Sequence, residues 1–69
     1  MILLKDLTIG TELVVAGCGI LCVVEIGENY IVATNTRKTV VKTFTPANSS
    51  LFYIENGEVY LDCEVVTDV

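Results

Sequence analysis

Residues 51–61 read LFYIENGEVYL, in which Asn56-Gly57 separates two apolar and aromatic runs. An Asn-Gly pair in this setting is the strongest short-range signal for a β-hairpin, because both residues tolerate the positive φ that a two-residue turn requires. The turn fixes a register with Tyr53 opposite Tyr60, and alternation along the strands assigns the side chains to two faces. The predicted core face carries Phe52, Ile54, Val59 and Leu61, and the outer face carries Tyr53, Tyr60, Glu55, Glu58 and Asp62.

The chain has 69 residues, of which 52% are hydrophobic, and its formal net charge is −5. A single domain of this length, residues 1–69, buries only roughly 60% of the surface that its unfolded chain exposes. The hydrophobic fraction is higher than a small monomer needs, so we expect a homo-oligomer. Nine carboxylates against four cations disfavour general binding to a nucleic-acid polymer or to an anionic membrane.

The rest of the chain also follows the two-residue period of β-strands, with turns rich in glycine and asparagine between the runs. Gly17-Cys18-Gly19 supplies positive φ at two positions of the first turn. Residues 46–50 form a loop whose proline stops the preceding strand. The tail, residues 63–69, extends the last strand or adds a short edge strand. The predicted strands are residues 12–16, 20–26, 30–34 and 39–45 and the two strands of the 51–61 hairpin.

The strand at residues 20–26 is apolar on both faces. Alternation predicts one face with Ile20, Cys22, Val24 and Ile26 and the other with Leu21, Val23 and Glu25. Such a strand is either central and covered twice, or its outer face lies in a subunit interface.

No helical period of any length interrupts this pattern, so the fold class is all-β, with about five to six short antiparallel strands joined by tight turns. The arrangement opens with LTIGTEL at residues 7–13. Its Leu7, Gly10, Thr11 and Leu13, with the rhythm of hairpins over about the first 35 residues, resemble the small SH3-like barrel proteins of bacteriophage accessory genes. The resemblance implies an SH3-like barrel and a non-enzymatic binding module that interferes with a host process.

Three cysteines and no histidine restrict the chemistry. An odd number of cysteines completes neither a disulfide framework nor a four-ligand zinc set, so a reducing cytoplasm is expected, the host's if the protein is of phage origin. Without histidine the usual general base, the commonest transition-metal ligand and the common triads are missing. We therefore expect no catalytic residue, no metal site and no cofactor. The facing pair Glu55 and Glu58 is a solvated hairpin tip, a poor place to exclude water.

The cysteines themselves are interpreted as structural. Cys22 and Cys63 have the parity of core positions, where a free thiol is ordinary packing. Cys18 lies in a turn between two glycines, and a reactive thiol needs a cationic neighbour, which the adjacent sequence does not supply.

A membrane location is not expected. The longest uncharged run, residues 13–24, is too short to span a bilayer and contains two glycines. Residues 15–18 have the form of a lipoprotein cleavage box, but Asp6 and Glu12 interrupt the apolar segment that a signal peptide requires. We expect a soluble protein.

Three of the four cations, Arg37, Lys38 and Lys42, fall within six residues of an otherwise acidic chain. Hydroxyl and amide donors surround them and offer hydrogen bonds to a phosphate. The alternative is an edge strand protected by lysine and threonine. The outward Tyr53 and Tyr60 offer aromatic rings to a base or a protein partner, or else form only a stabilising cross-strand pair. The predicted ligand-binding residues are Arg37, Lys38, Lys42, Thr39, Thr43, Ser49, Tyr53 and Tyr60.

Two functions fit these features. The first is anti-defence sequestration of a small anionic signal, a nucleotide or cyclic nucleotide, with Arg37 and Lys42 on the phosphate and a tyrosine on the base. The second is an acidic inhibitor that docks on a host DNA-binding or RNA-polymerase component through the carboxylates near the C-terminus. A third possibility is a domain used only for assembly.

Overall fold

The computed structural model describes residues 1–66, and within them it contains eight short strands and one 3-10 turn at Leu4–Asp6. The strands form two antiparallel sheets, a small sheet of order β1-β7-β6 and a large sheet of order β5-β4-β3-β2-β8. The all-β prediction is therefore confirmed. The strands are β1 (Ile2–Leu3), β2 (Glu12–Val15), β3 (Gly19–Ile26), β4 (Ile31–Asn35), β5 (Val41–Phe44), β6 (Phe52–Glu55), β7 (Glu58–Leu61) and β8 (Glu64–Val65).

The hairpin of β6 and β7 has the register that its sequence predicts. Tyr53 pairs with Tyr60, and Glu55 pairs with Glu58 across the turn. Asn56 and Gly57 have φ values of 52° and 78°, the positive values that the favoured two-residue turn needs. One core assignment is wrong: Ile54 is 59% exposed, because the tip of the hairpin extends past the core that covers Leu61.

The large sheet is built from hairpins that follow one another along the chain. β2, β3, β4 and β5 pair in sequence order, each antiparallel to the next. β8 pairs with the other side of β2, which confirms a short edge strand in the tail. Residues 67–69 of that predicted tail lie outside the described residues.

The predicted faces of β3 are wrong before a β-bulge, where Leu21 and Val23 are buried, and the bulge itself turns Glu25 outward. The register with β4 shifts between Val23 and Glu25, so Val24 is the extra residue. Without the shift, Glu25 would point into the core; with it, Glu25 is exposed and Ile26 packs against the core. Cys22, predicted to face inward, lies on the outer face and is half-buried.

The core lies between the two sheets. Its largest fully buried side chains are Leu13, Ile31, Val23 and Leu61, of which the first three come from the large sheet and Leu61 from the small one. No strand within residues 1–66 belongs to both sheets, so the SH3-like barrel is not closed in the described part of the chain. The sheets are held together by apolar contact across the core.

Candidate functional site

The first group of predicted ligand-binding residues lies in the turn between β4 and β5. Arg37, Lys38 and Thr39 are exposed there. The Asn35 side chain organises the turn: its Oδ1 accepts hydrogen bonds from the backbone N–H groups of Thr39 and Val40 at 2.9 and 3.0 Å, and its Nδ2 donates to Thr39 Oγ1 at 2.8 Å. The Asn35 amide is thus used to shape the turn, whereas the Thr39 hydroxyl accepts a hydrogen bond and keeps its own proton for donation. Residues 36–38 are called the basic turn below.

Strand β5, which follows, is an edge of the large sheet, and alternation separates its two predicted site residues. Lys42 lies opposite the buried Ala33 and so belongs to the inner face, whereas Thr43 lies opposite Val32 on the outer face. The Lys42 Nζ donates a hydrogen bond to Cys18 Sγ at 3.6 Å. The structure therefore gives Cys18 the cationic neighbour that its adjacent sequence lacks.

An open cleft of about 380 Å³ adjoins this pair. It is named the loop cleft. Ser49, one of the predicted ligand-binding residues, lines the cleft. Cys18 also lines it, and because the Cys18 sulfur accepts a hydrogen bond from Lys42, the Lys42 ammonium lies at the edge of the cleft. The cleft is lined by Val15, Ala16, Cys18, Phe44, Asn48, Ser49, Ser50, Leu51 and Asp62.

Most of the polar groups of the loop cleft already have partners. Asn48 accepts from the backbone N–H of Thr45 at 2.9 Å and donates to the carbonyl oxygen of Thr43 at 3.2 Å. The Ser49 Oγ accepts from the N–H of Leu51 at 3.1 Å. The Asp62 carboxylate on the cleft wall adds a negative charge, which disfavours an anion. The Ser49 hydroxyl accepts in that hydrogen bond and keeps its own proton, so the cleft offers a phosphate this hydroxyl and the Lys42 ammonium at its edge.

The two predicted tyrosines lie on the other sheet. Tyr53 and Tyr60 form a cross-strand pair on the outer face of the small sheet, with ring centroids 6.4 Å apart and ring planes inclined by 49°. Tyr53 is 45% exposed and Tyr60 is half-buried. Neither ring lines the loop cleft, so the tyrosines are not part of it.

Carboxylates continue this outer face towards the hairpin tip. Glu55 and Glu58 lie opposite each other on the same side of the sheet as the tyrosines. The Lys5 Nζ lies 3.2 Å from Glu58 Oε2, an exposed ion pair that neutralises part of the charge. The surface formed by Tyr53, Tyr60, Glu55 and Glu58 is named the tyrosine-acid face.

A second cleft, of about 280 Å³, adjoins the tyrosine-acid face through Lys5 and Glu58. It lies where the hairpin tip meets the turn between β3 and β4. Two carboxylates, Glu28 and Glu58, and one ammonium line it, so its polar character is acidic. Its lining residues are Leu4, Lys5, Ile26, Gly27, Glu28, Gly57, Glu58 and Val59.

The outer face of the large sheet has a different chemistry. Val14, Ile20, Val24 and Val41 are between 41% and 64% exposed there, and Cys22 is half-buried among them. This surface is named the apolar sheet face. It reverses the predicted faces of the strand at residues 20–26, because Leu21 and Val23 are buried whereas Ile20 and Cys22 face outward. Glu12, opposite Cys22, is on the same outer face.

Tyr30, at the end of the large sheet, is the residue of this region that sequence reasoning missed. Its hydroxyl donates to Glu25 Oε2 at 2.6 Å. The hydrogen bond and the negative charge of Glu25 raise the pKa of Tyr30, because both favour the neutral phenol. The pairing depends on the bulge that keeps Glu25 on the outer face, which periodicity alone does not reveal.

The remaining cysteine, Cys63, is buried as predicted, and burial raises the pKa of its thiol. Among the described residues, no group of three or more cysteine and acidic side chains is placed to hold a metal ion. Nor does any helix in residues 1–66 have the length and apolarity that a membrane crossing requires.

Comparison of this chain with protein-family models, with curated proteins and with solved structures finds no match. The resemblance to phage SH3-like accessory proteins and the ligand-binding role of the predicted residues stay predictions.

Proposed function

We propose that the protein is a non-enzymatic binding module that docks through its tyrosine-acid face on a basic protein surface. The observation that supports this most is the cross-strand pair of exposed Tyr53 and half-buried Tyr60, with Glu55 and Glu58 beside it on one sheet. Tyrosine supplies a large contact area at low entropic cost and is enriched among the residues that dominate binding energies.

The charges around the tyrosines favour a cationic partner. Glu55 and Glu58 flank the pair, and the adjoining cleft carries Glu28 as a further carboxylate. A partner lysine or arginine entering that cleft would meet two carboxylates and compete with Lys5 for Glu58. With a net charge of −5 on the chain, long-range attraction would also accelerate the encounter with a basic protein.

The test uses the protein as bait in extracts of the cells in which it is naturally made. Retained proteins are identified, and the basic candidate is purified and titrated against three forms of the bait: wild type, Tyr53→Ala and the control Ile9→Ala. Ile9 is 66% exposed and lies off the face. Loss of a hot-spot tyrosine typically weakens binding by about 30-fold, so we expect that loss for Tyr53→Ala and none for the control.

The dependence of binding on salt concentration distinguishes this proposal from non-specific hydrophobic binding. Binding should weaken as ionic strength rises to about 0.5 M, because the Debye length then falls well below 10 Å. Equal binding by wild type and Tyr53→Ala, or binding that salt does not change, would contradict the proposal.

A second candidate is sequestration of a small anionic nucleotide in the loop cleft, as expected of an anti-defence protein. Its support is Lys42, which points inward to the edge of a cleft that Ser49 lines. Calorimetry against a panel of cyclic nucleotides tests it, with Lys42→Ala as the disabling variant and Arg37→Ala as its charge-matched control. Binding by neither wild type nor control rules the candidate out.

A further inference from the structure

We propose that the partner of the tyrosine-acid face binds as an added strand, with one extended segment pairing along the open edge of β6. The segment carries basic side chains alternating with β-branched apolar ones. This inference rests on the proposed function and names the form that the partner takes at that site. β6 is an outer strand of the small sheet, and β7 is the single strand that pairs with it among residues 1–66.

The hairpin register determines which backbone groups of β6 point away from β7. In a two-residue hairpin, the residues that flank the turn and every second residue along the strand bond to the partner strand, so the backbone groups of Tyr53 face β7. The hydrogen bond from the N–H of Asp62 to the carbonyl oxygen of Leu51, at 2.7 Å, continues this alternation. The N–H and C=O groups of Phe52 and Ile54 therefore point outward, and they have no backbone partner within residues 1–66.

The other outer strands are less suited to strand addition. β1 and β8 have two residues each, too few to hold a segment by backbone hydrogen bonds. β5 has four residues but directs Lys42 to its inner face, and an inward-pointing charge discourages the addition of a strand. β6 has four residues with neither lysine nor proline, and residues 53–55 are all exposed. An edge of this kind is a template for an extended peptide.

The side chains of β6 select the sequence of the added strand. Tyr53 and Glu55 belong to the tyrosine-acid face, so a basic residue beside them gains an ion pair with the carboxylate and a cation–π contact with the ring. Phe52 and Ile54 lie on the opposite face, where Ile54 is 59% exposed. A β-branched residue beside these two covers that apolar surface. Basic and apolar residues therefore alternate along the added strand.

The charge of the chain favours a basic segment over a second copy at this edge. Pairing of two copies through β6 would bring together two chains of net charge −5. Their mutual repulsion opposes that pairing, whereas the same charge attracts a basic segment.

The first test uses a synthetic peptide of alternating arginine and valine as the probe. At roughly 3.4 Å per residue, a peptide of about eight residues spans all of β6. In the expected register the valines lie beside Phe52 and Ile54, so the valine backbone groups bond to β6 and the arginine backbone groups point away. Two modified peptides with equal numbers of methyl groups are compared, one with N-methyl groups on its valines and one with N-methyl groups on its arginines.

Fluorescence anisotropy measures the affinity of each peptide for the wild-type protein. Methylation of the valines should weaken binding by about tenfold, because two hydrogen bonds to β6 are lost. Methylation of the arginines should have little effect. Equal affinities of the two methylated peptides, or no binding of the unmodified peptide, would overturn the inference.

A substitution in β6 is the second test. Ile54→Pro removes the outward N–H, and proline is tolerated on an edge strand where that N–H faces solvent. Ile54→Ala keeps the N–H and is the matched control, and circular dichroism checks that both variants are folded. The unmodified peptide should bind Ile54→Pro at least about fivefold more weakly than Ile54→Ala. Equal binding of the two variants would contradict strand addition.

The same variants distinguish this inference from the proposed function. A basic partner that binds Ile54→Pro as tightly as Ile54→Ala, but binds Tyr53→Ala weakly, docks on the tyrosine-acid face without strand addition, which overturns the inference alone. A partner that distinguishes the two Ile54 variants but binds Tyr53→Ala like wild type supports strand addition and contradicts the proposed function. A wild-type dimer in native mass spectrometry that Ile54→Pro abolishes would show that a second copy occupies the edge, against the inference.

Discussion

The outer faces of the two sheets differ more than their inner faces do. On the inside, both sheets supply the same kind of buried aliphatic side chain, Leu61 from one and Leu13 and Ile31 from the other. On the outside, the small sheet carries tyrosines with carboxylates beside them. The large sheet carries exposed valine and isoleucine, with the carboxylates of Glu12, Glu25 and Glu64 on the same face. A face of tyrosines and carboxylates suits a reversible, charge-complementary partner, whereas exposed valine and isoleucine separated by carboxylates do not by themselves select one.

The comparison teaches that fold and function are encoded on opposite sides of the same strands. The inward residues of either sheet are nearly interchangeable in kind, since a core needs mainly volume and apolarity. The outward residues are not, because exposed aromatic and acidic side chains each select a different partner.

The largest expected effect separates the covered part of the small sheet's inner face from the exposed hairpin tip on the same face. Leu61 is fully buried, so Leu61→Ala should lower the free energy of unfolding by about 2 to 5 kcal/mol through lost burial and a cavity. Ile54→Ala, on the same hairpin but 59% exposed, should change it by less than about 0.5 kcal/mol. Urea denaturation measures both, and equal losses would contradict the placement of the core.

A smaller effect tests the hairpin that carries the tyrosine-acid face. Gly57 has φ of 78°, a conformation that costs a residue with a Cβ about 1 to 2 kcal/mol. Gly57→Ala should lower the free energy of unfolding by that amount, and Gly57→Asn by less, because asparagine tolerates this region. The same urea experiment measures them, and an alanine variant as stable as wild type would mean that the turn is of another type.

In the large sheet, a glycine substitution in the basic turn should raise the free energy of unfolding instead of lowering it. Lys38 has φ of 59°, so Lys38→Gly relieves backbone strain and should raise stability by about 0.5 to 1 kcal/mol. Arg37 does not have a positive φ, and Arg37→Gly removes the same charge without that relief. Thermal unfolding of the two variants distinguishes them; a stabilised Arg37→Gly would point to charge instead of backbone conformation.

The smallest expected effect is a change in the pKa of Tyr30, which lies at the end of the large sheet. The hydrogen bond to Glu25 raises the pKa of Tyr30, so any stability that the neutral phenol contributes is present below the ordinary tyrosine pKa of about 10 and is lost as pH rises through the raised pKa. In Glu25→Gln the pKa of Tyr30 should fall. Phenolate absorbance against pH shows this as the loss of the late-titrating tyrosine, with Tyr53→Phe as a control that keeps it.

Local patterns were sufficient for part of the fold. The 51–61 hairpin was predictable to the residue because a two-residue Asn56-Gly57 turn leaves one register. The bulge at Val24 was not, because an extra residue in one strand is defined only by its partner strand. The division into two sheets also escaped prediction, since the pairing of β1 with β7 joins the two ends of the chain.

The candidate site was predictable in residue type but not in arrangement. Lys42 and Tyr53 were both singled out, yet they lie on different sheets, and spacing along the chain carries no information about that separation. The contact of Lys42 with Cys18 spans 24 residues and depends on the fold of the large sheet. Alternation gave β3 two apolar faces but not which one is covered, and the face predicted to be inward, with Cys22, is the one that faces outward.

One measurement compares the two faces directly. A photoreactive benzophenone side chain is placed at position 53, on the tyrosine-acid face, or at position 43, where Thr43 lies on the outer face of β5, and the protein is irradiated in the cells in which it is naturally made. The account predicts that position 53 links to a basic protein and that position 43 does not. Identical products from both positions, or a second copy linked at position 53, would contradict it.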